Sequence, residues 1–174
     1  IPVSLPATPT QGGLTRYQKF KRHLRNAFIT LGFYETNTYA LTNRSIATKY
    51  DQEEKSVVEI INPLSKDRSV LRHSLIPALT EALSYNVSRK AKDVHFFEIA
   101  RNYTIEKETE LLAGLMHGRY NFSLWQGKND EVDFFLLKGI LESILIDLKV
   151  LNYSFVKPVE NIPNLHPGIS ALIK

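Results

Sequence analysis

The chain has 174 residues, a formal net charge of +4 at pH 7 and no cysteine. This length suits one domain of ordinary size, and the lack of cysteine excludes a disulfide scaffold, thiolate zinc sites, iron–sulfur clusters and a cysteine nucleophile. Apolar residues make up 43% and charged residues 23%, close to globular averages, which excludes a disordered or fibrous chain.

The first 14 residues are rich in proline, glycine and threonine and show no periodicity, so we expect a linker or the tail of a preceding domain over 1–14 and one domain over 15–174. The start at Ile1 lacks a methionine, a basic segment and an apolar run. It therefore does not resemble a signal peptide, and we expect a piece of a longer, cytoplasmic polypeptide that is truncated at its C-terminal end.

A helix is predicted from Thr15, because Thr15 and Gln18 form a capping-box pattern. Gly32 stands where such a helix would end. The large apolar residues in between recur at helical spacing, with basic residues mostly on other faces; they are Tyr17, Phe20, Leu24, Phe28 and Leu31.

Aromatic and β-branched residues predict strands over 33–41 and 57–61, followed by a turn at 62–65. Ser74 is a candidate cap for a second helix that carries Pro77 in its first turn and runs to about Val87.

The second half predicts strands over 94–103 and 111–118, joined by a charged hairpin at 106–108. A third helix is predicted from about Asp130, with an apolar arc so wide that we expect burial on more than one side. The stretch 134–148 is interrupted by Lys138, Glu142 and Asp147, so no membrane-spanning helix is predicted. Final strands are predicted over 153–156 and 169–173. This order favours an α+β fold, an antiparallel sheet with helices packed on it.

No common catalytic or nucleotide-binding motif is present. The histidines are not at metal-ligand spacing, so no metal site is predicted; they are His23, His73, His95, His117 and His166. Glu98 stands out because a carboxylate inside an apolar strand needs a partner. Arg72 is the stronger candidate partner and His95 the weaker one. A structural pair is the main interpretation, and a substrate contact is the alternative.

An ordered set of short segments resembles the β-subunit family of bacterial phenylalanyl-tRNA synthetase. The set begins with 62–65 and 69–79, continues through 86–89 and 96–100, and ends with 166–171; the segment 15–41 fits the family's preceding helix and strand. The signature residues are Asn62, Pro63, Leu64, Ser65, Leu71, Arg72, Ser74, Leu75, Pro77, Asn86, Arg89, Phe97, Glu98, His166 and Pro167.

The resemblance implies a class II aminoacyl-tRNA synthetase-like antiparallel sheet flanked by helices. It further implies an (αβ)2 heterotetramer that binds tRNA, in which the α subunit uses ATP and Mg²⁺ to attach phenylalanine and the β module is a degenerate copy. Such a catalytic site needs an arginine after the second motif's strand to hold a phosphate. Thr104 stands there and Arg101 precedes it, so we predict no catalytic residue, cofactor or metal in this chain.

The resemblance also places the first helix against the α subunit, and we expect Phe20, Leu24 and Phe28 to contribute to that interface. Two alternatives remain open. In one, the pocket keeps residual adenylate-forming or tRNA-binding activity of its own. In the other, the basic residues of the first helix make the chain a free-standing nucleic-acid binder; they are Arg16, Lys19, Lys21, Arg22 and Arg25.

Overall fold

The protein is described by a computed structural model that covers residues 12–50, 57–120, 130–159 and 165–174. Its elements in chain order are α1 (Arg16–Thr30), β1 (Tyr34–Glu35), β2 (Leu41–Thr42), α2 (Arg44–Ala47), a 3₁₀ turn (Lys66–Arg68), β3 (Val70–Leu71), α3 (Ile76–Ser88), β4 (Val94–Tyr103), β5 (Glu108–His117), α4 (Phe134–Asp147), β6 (Phe155–Val156) and β7 (Leu172–Ile173).

The main sheet has three strands in the order β1-β4-β5. β4 and β5 form a long antiparallel hairpin, whereas β1 runs parallel to β4 and pairs Tyr34 with Phe96. β2 pairs with β3, and β6 with β7, as two short antiparallel ladders. The expectation of a mixed α+β chain is therefore confirmed.

The main core lies between α1, α4 and one face of β4. Phe97 is fully buried, and its ring stacks on Phe28 with centroids 4.9 Å apart. Phe33 meets Phe28 edge to face at 5.3 Å, and Ile140 and Ile144 of α4 complete the cluster. Alternate residues of a strand point to opposite faces, so Phe97 packs on this core while its neighbour Glu98 faces away from it.

Local side chains determine where the helices begin and end. The capping box of Thr15 and Gln18 is present as predicted, and Gly32 follows the last turn with a φ of 81°. α3 departs from prediction, because its N-cap is Leu75, while Ser74 Oγ accepts a bond from the Ile76 N–H at 3.3 Å. α4 begins four residues after Asp130, because the Asp133 side chain caps it.

Four predicted strands are shorter in the structure. The final two keep only 155–156 of 153–156 and 172–173 of 169–173. Of 33–41, only 34–35 and 41 lie in strands, because the backbone between them turns toward other partners: the Thr36 N–H donates to the Phe97 carbonyl, and the Thr38 N–H to the Glu98 carboxylate. Of 57–61, a single bridge between Glu59 and Val70 is formed. The second segment does pair with the β3 region, through the Ile60 N–H to the Ser69 carbonyl and the Leu71 N–H to the Val58 carbonyl, but over too few residues to count as a strand.

The expectation that α4 is buried on more than one side is wrong within this chain. Ile140 and Ile144 are buried, whereas Phe135 and Ile146 are 76% and 59% exposed. Among the helices that the structure describes, none combines the length and apolar character needed to cross a membrane.

Candidate functional site

Arg72 and Glu98 form a buried ion pair that joins the end of β3 to β4. Arg72 Nη1 lies 3.0 Å from Glu98 Oε1, and the two residues are 6% and 1% exposed. Arg72 Nε also donates to the Arg101 carbonyl at 3.1 Å. The predicted pairing of Arg72 with Glu98 is confirmed. His95 is not the partner, because its ring lies near Phe33 and Tyr120.

Thr38 is the third member of this cluster. Its hydroxyl donates to Glu98 Oε2 at 2.7 Å and accepts from Arg72 Nη1 at 2.8 Å, and its N–H donates to Glu98 Oε1 at 3.2 Å. Both charges are thus compensated inside the chain, as buried charges must be. The cluster connects three separate segments of the chain. Both oxygens of the Glu98 carboxylate accept hydrogen bonds within it.

A groove of about 500 Å³ lies beside the cluster, between the segment 38–42 with α2 on one side and α3 on the other. Arg72 and Thr38 contribute to its lining. Its other walls are mostly apolar; they include Leu41, Ile46, Ala47, Pro77, Ala78 and Ala82. Its volume lies within the range of small-ligand sites.

Two arginine–tyrosine stacks stand at this groove. The guanidinium of Arg68 lies 4.4 Å from the ring centre of Tyr39, and that of Arg89 lies 3.4 Å from the ring centre of Tyr85. Both tyrosines line the groove and are strongly exposed, by 74% and 57%. A second cavity of about 480 Å³ adjoins the groove and shares Tyr39, Leu41 and Arg68 with it.

The signature residues fall into buried and exposed groups. Phe97, Leu75 and Pro77 are buried with Arg72 and Glu98, and Leu71 and Ser74 are partly buried beside them. The exposed group lies in loops and at a helix end; it comprises Asn62, Pro63, Leu64, Ser65, Arg89, His166 and Pro167. Asn86 is partly buried and donates to the Ala82 carbonyl at 2.8 Å. Roles for these residues beyond packing stay predictions.

The exposed face of α1 is smaller than predicted. Phe28 is 3% exposed and belongs to the core, so it cannot also face a partner chain, and its inclusion in the interface is wrong. Leu24 is partly buried against the same core, and Phe20 is 49% exposed. The interface prediction therefore depends on Phe20 and the edge of Leu24.

Several basic residues at the two ends of the main sheet form ion pairs. Lys21 pairs with Glu110, and Arg25 Nε lies 2.6 Å from the Glu35 carboxylate. The hydrogen bond from Lys21, and then that from Tyr17, lowers the pKa of Glu110. At the other end of the sheet, hydrogen bonds from Arg119 lower the pKa of Asp93. These pairs anchor α1 and the start of β4.

Arg101 and Thr104, which stand near the position of the expected phosphate-binding arginine, contact other groups of the β4–β5 hairpin. In the part of the chain that the structure describes, no three histidine or acidic side chains come together as metal ligands. Arg101 lies 3.1 Å from Glu108 in an exposed pair. Thr104 closes the hairpin instead, since its hydroxyl accepts from the Lys107 N–H at 3.2 Å. No catalytic step is assigned to these groups.

Sequence reasoning missed Thr38 and both stacks. The hydroxyl of Thr38 carried no signal of its own, because threonine is ordinary in a predicted strand. Arg89 follows Tyr85 by four residues, a spacing at which helical side chains meet, so that stack was accessible from sequence. Arg68 and Tyr39 are brought together only by the tertiary fold.

Comparison with solved structures identifies the class of fold. A pyrrolysyl tRNA synthetase from Desulfitobacterium hafniense superimposes with a TM-score of 0.63, covering 84% of this chain and 50% of that one, at 18% sequence identity. At this identity the likeness concerns the fold alone: a synthetase-like α+β domain.

Sequence comparison is more specific. Residues 1–174 match the family described as the phenylalanyl tRNA synthetase beta chain CLM domain, and the chain belongs to that family. It is 39% identical to the phenylalanine–tRNA ligase beta subunit of Bacillus subtilis, over 99% of this chain and 22% of that protein. It is 40% identical to the same subunit of Onion yellows phytoplasma, over 98% and 20%. The chain thus spans about a fifth of the length of these relatives.

Proposed function

We propose that the chain is a non-catalytic core module of a phenylalanyl-tRNA synthetase β subunit, and that it supports the α subunit in the ATP-dependent attachment of phenylalanine to its tRNA. The family match over all 174 residues carries the proposal. The buried ion pair supports the non-catalytic part, because Glu98 compensates the charge of Arg72 inside the chain.

In this proposal the three-stranded sheet, in which β1 is parallel to β4, is part of a mainly antiparallel class II-like sheet flanked by helices. Residues 15–174 form the module after a linker at 1–14. The assembly is an (αβ)2 heterotetramer in the cytoplasm that binds tRNA, with ATP and Mg²⁺ in the α subunit. The partner contact through α1 is placed at Phe20, which is 49% exposed, because the resemblance puts this helix against the α subunit.

Co-expression with a phenylalanyl-tRNA synthetase α subunit tests the scaffold role. We expect the tagged chain to retain the α subunit through purification and gel filtration, and Phe20→Asp to lose it while keeping its melting temperature. Retention by Phe20→Asp as strong as by the wild type would contradict the interface.

Phenylalanine-dependent pyrophosphate exchange tests the non-catalytic role. We expect no exchange above background from this chain alone. Exchange that disappears in Arg101→Ala would contradict the proposal, and because loss of one charge-stabilising contact costs about a hundredfold or more in rate, that result would be clear.

A further inference from the structure

A loop that precedes β3 presents two large apolar side chains to solvent. In this loop, residues 61–67, Ile61 is 94% exposed and Leu64 is fully exposed. A single exposed apolar residue is ordinary on a protein surface. Two of them on either side of one proline, Pro63, form a continuous apolar projection, and such a patch is typical of a contact surface.

The 61–67 loop lies directly beside the groove between the segment 38–42 and α3. The cavity of about 480 Å³ is lined on one side by the loop and on the other by three residues that also line the groove: Tyr39, Leu41 and Arg68. A projection and a recess are therefore neighbours on one face. An isologous dimer needs this arrangement, because each copy inserts its projection into the recess of the other.

The charges on this face are complementary to each other. Within the described residues, Lys66, Asp67 and Glu81 are exposed and form no ion pair, and Arg68 has no carboxylate partner because its guanidinium donates to the Leu41 carbonyl. The loop thus offers one free charge of each sign, and so does the groove. Across a two-fold axis near Arg68, unlike charges of the two copies can face each other.

The groove also suits the apolar part of the loop. Its walls next to Arg68 include Leu41, Ile46, Pro77 and Ala78, which accept aliphatic side chains. Tyr39, 74% exposed between loop and groove, would be covered at the centre of such a contact, and tyrosine and arginine are enriched at interface centres.

We propose that two copies of this chain form a two-fold dimer in which the 61–67 loop of each occupies the groove of the other. Leu64 and Ile61 contact the apolar walls, Lys66 faces the partner's Glu81, and Asp67 faces the partner's Arg68. The proposal goes beyond the scaffold role and does not depend on it, because α1 does not contribute to the groove lining.

Sedimentation velocity over a concentration series tests the dimer on the full chain, with each variant's melting temperature measured alongside. Leu64→Asp should weaken dimerisation about a hundredfold, a tenfold loss at each of two equivalent contacts, and leave the melting temperature unchanged. Val159→Asp is the matched control, because Val159 is 98% exposed and lies outside the groove lining. It should dimerise like the wild type.

Charge reversal tests the pairing independently of the apolar contact. Lys66→Glu and Glu81→Lys should each weaken dimerisation, because each places like charges opposite one another. The double variant Lys66→Glu/Glu81→Lys restores unlike charges with the polarity exchanged, so its dimerisation should return close to that of the wild type. A double variant weaker than both single variants would overturn the proposed pairing.

Introduced cysteines locate the contact, since the chain itself has none. A short bismaleimide should join Leu64→Cys on one copy to Ala82→Cys in the groove of another when the two variants are mixed. Leu64→Cys alone should give little covalent dimer, because the loop meets the groove and not the other loop. Crosslinking of Leu64→Cys alone, with none in the mixture, would overturn the arrangement.

Phe20→Asp separates this dimer from contacts through α1, and it should dimerise like the wild type. Loss of the dimer in Phe20→Asp with retention in Leu64→Asp would assign self-association to α1 and overturn the proposal. A wild-type chain that stays monomeric at millimolar concentration would also overturn it. If that monomer bound a phenylalanyl-tRNA synthetase α subunit and Leu64→Asp did not, the groove would belong to the α subunit instead.

Discussion

Arg72 Nη1 and Glu98 Oε1 lie 3.0 Å apart in the interior, with the Thr38 hydroxyl bridging them at 2.8 and 2.7 Å. This triangle joins three segments that are distant in sequence: the approach to β2, the residue after β3 and the middle of β4. Each charge is stable in the interior only while the other is present.

Arg72→Ala is expected to lower the free energy of unfolding by about 3–5 kcal/mol, because it leaves the Glu98 carboxylate buried without its cation. Urea denaturation followed by circular dichroism measures the change. Arg101→Ala is the matched control: its pair with Glu108 is exposed, and such pairs contribute about 0–1 kcal/mol. Equal losses in the two variants would contradict the structural role of the buried pair.

His95 makes stability depend on pH. Burial lowers its pKa from the usual value, so the unfolded chain binds a proton at a higher pH than the folded one. Its contribution is present above about pH 6.5, the pKa of an unperturbed histidine, and is lost as pH falls from there toward the folded pKa.

We therefore expect the free energy of unfolding to fall between pH 7 and pH 5.5, and His95→Gln to flatten this dependence. His166→Gln, in an exposed loop, serves as control and should leave the slope as in the wild type. A slope that is unchanged in His95→Gln would show that another group titrates on folding.

Phe28 and Phe20 lie on the same helix but should respond differently to a charge. Phe28→Asp places a carboxylate against Phe97 in the core and should prevent folding, because an unpaired buried charge is expensive. Phe20→Asp should change the melting temperature little, since half of that side chain is already exposed. Unfolding by both variants would show that the whole apolar line of α1 is core.

Two glycines should respond to alanine with opposite signs. A Cβ on Gly118, which has a φ of 86°, would lie 2.1 Å from the Lys92 carbonyl oxygen, so Gly118→Ala should destabilise. Gly139 lies inside α4 with nothing within 4 Å of an added Cβ, so Gly139→Ala should stabilise by about 0.5–1 kcal/mol. Thermal melting of the two variants checks the order, and stabilisation by Gly118→Ala would contradict the described turn.

The elements that the sequence predicted well are those with strong local signals. β4 occupies the predicted residues 94–103 because half of its residues are aromatic or β-branched, which favours a strand. α1 begins where its capping box requires. The segment 36–40 was predicted as strand and is irregular, because its partners are the backbone of Phe97 and the carboxylate of Glu98, which no local pattern reveals.

The candidate site divides in the same way. The pairing of Arg72 with Glu98 was predictable, because both charges stand in apolar sequence and each needs a partner. The groove was not, because it exists only where α3 passes the segment 38–42. Arg68 and Tyr39 meet only through the tertiary fold. No local sequence pattern could therefore predict their contact.

The parallel pairing of Tyr34 with Phe96 also bears on the order in which the chain folds. β4 and β5 are joined by only four residues, 104–107, whereas 58 residues, 36–93, separate β1 from its partner β4. Closing the short loop costs less entropy than closing the long one. We expect the hairpin to be formed in the folding transition state and the α1–β1 edge to dock afterwards. Leu111→Ala changes a hairpin residue opposite Ala100 and outside the core cluster, so it should slow refolding, whereas Phe28→Leu should chiefly speed unfolding in stopped-flow measurements.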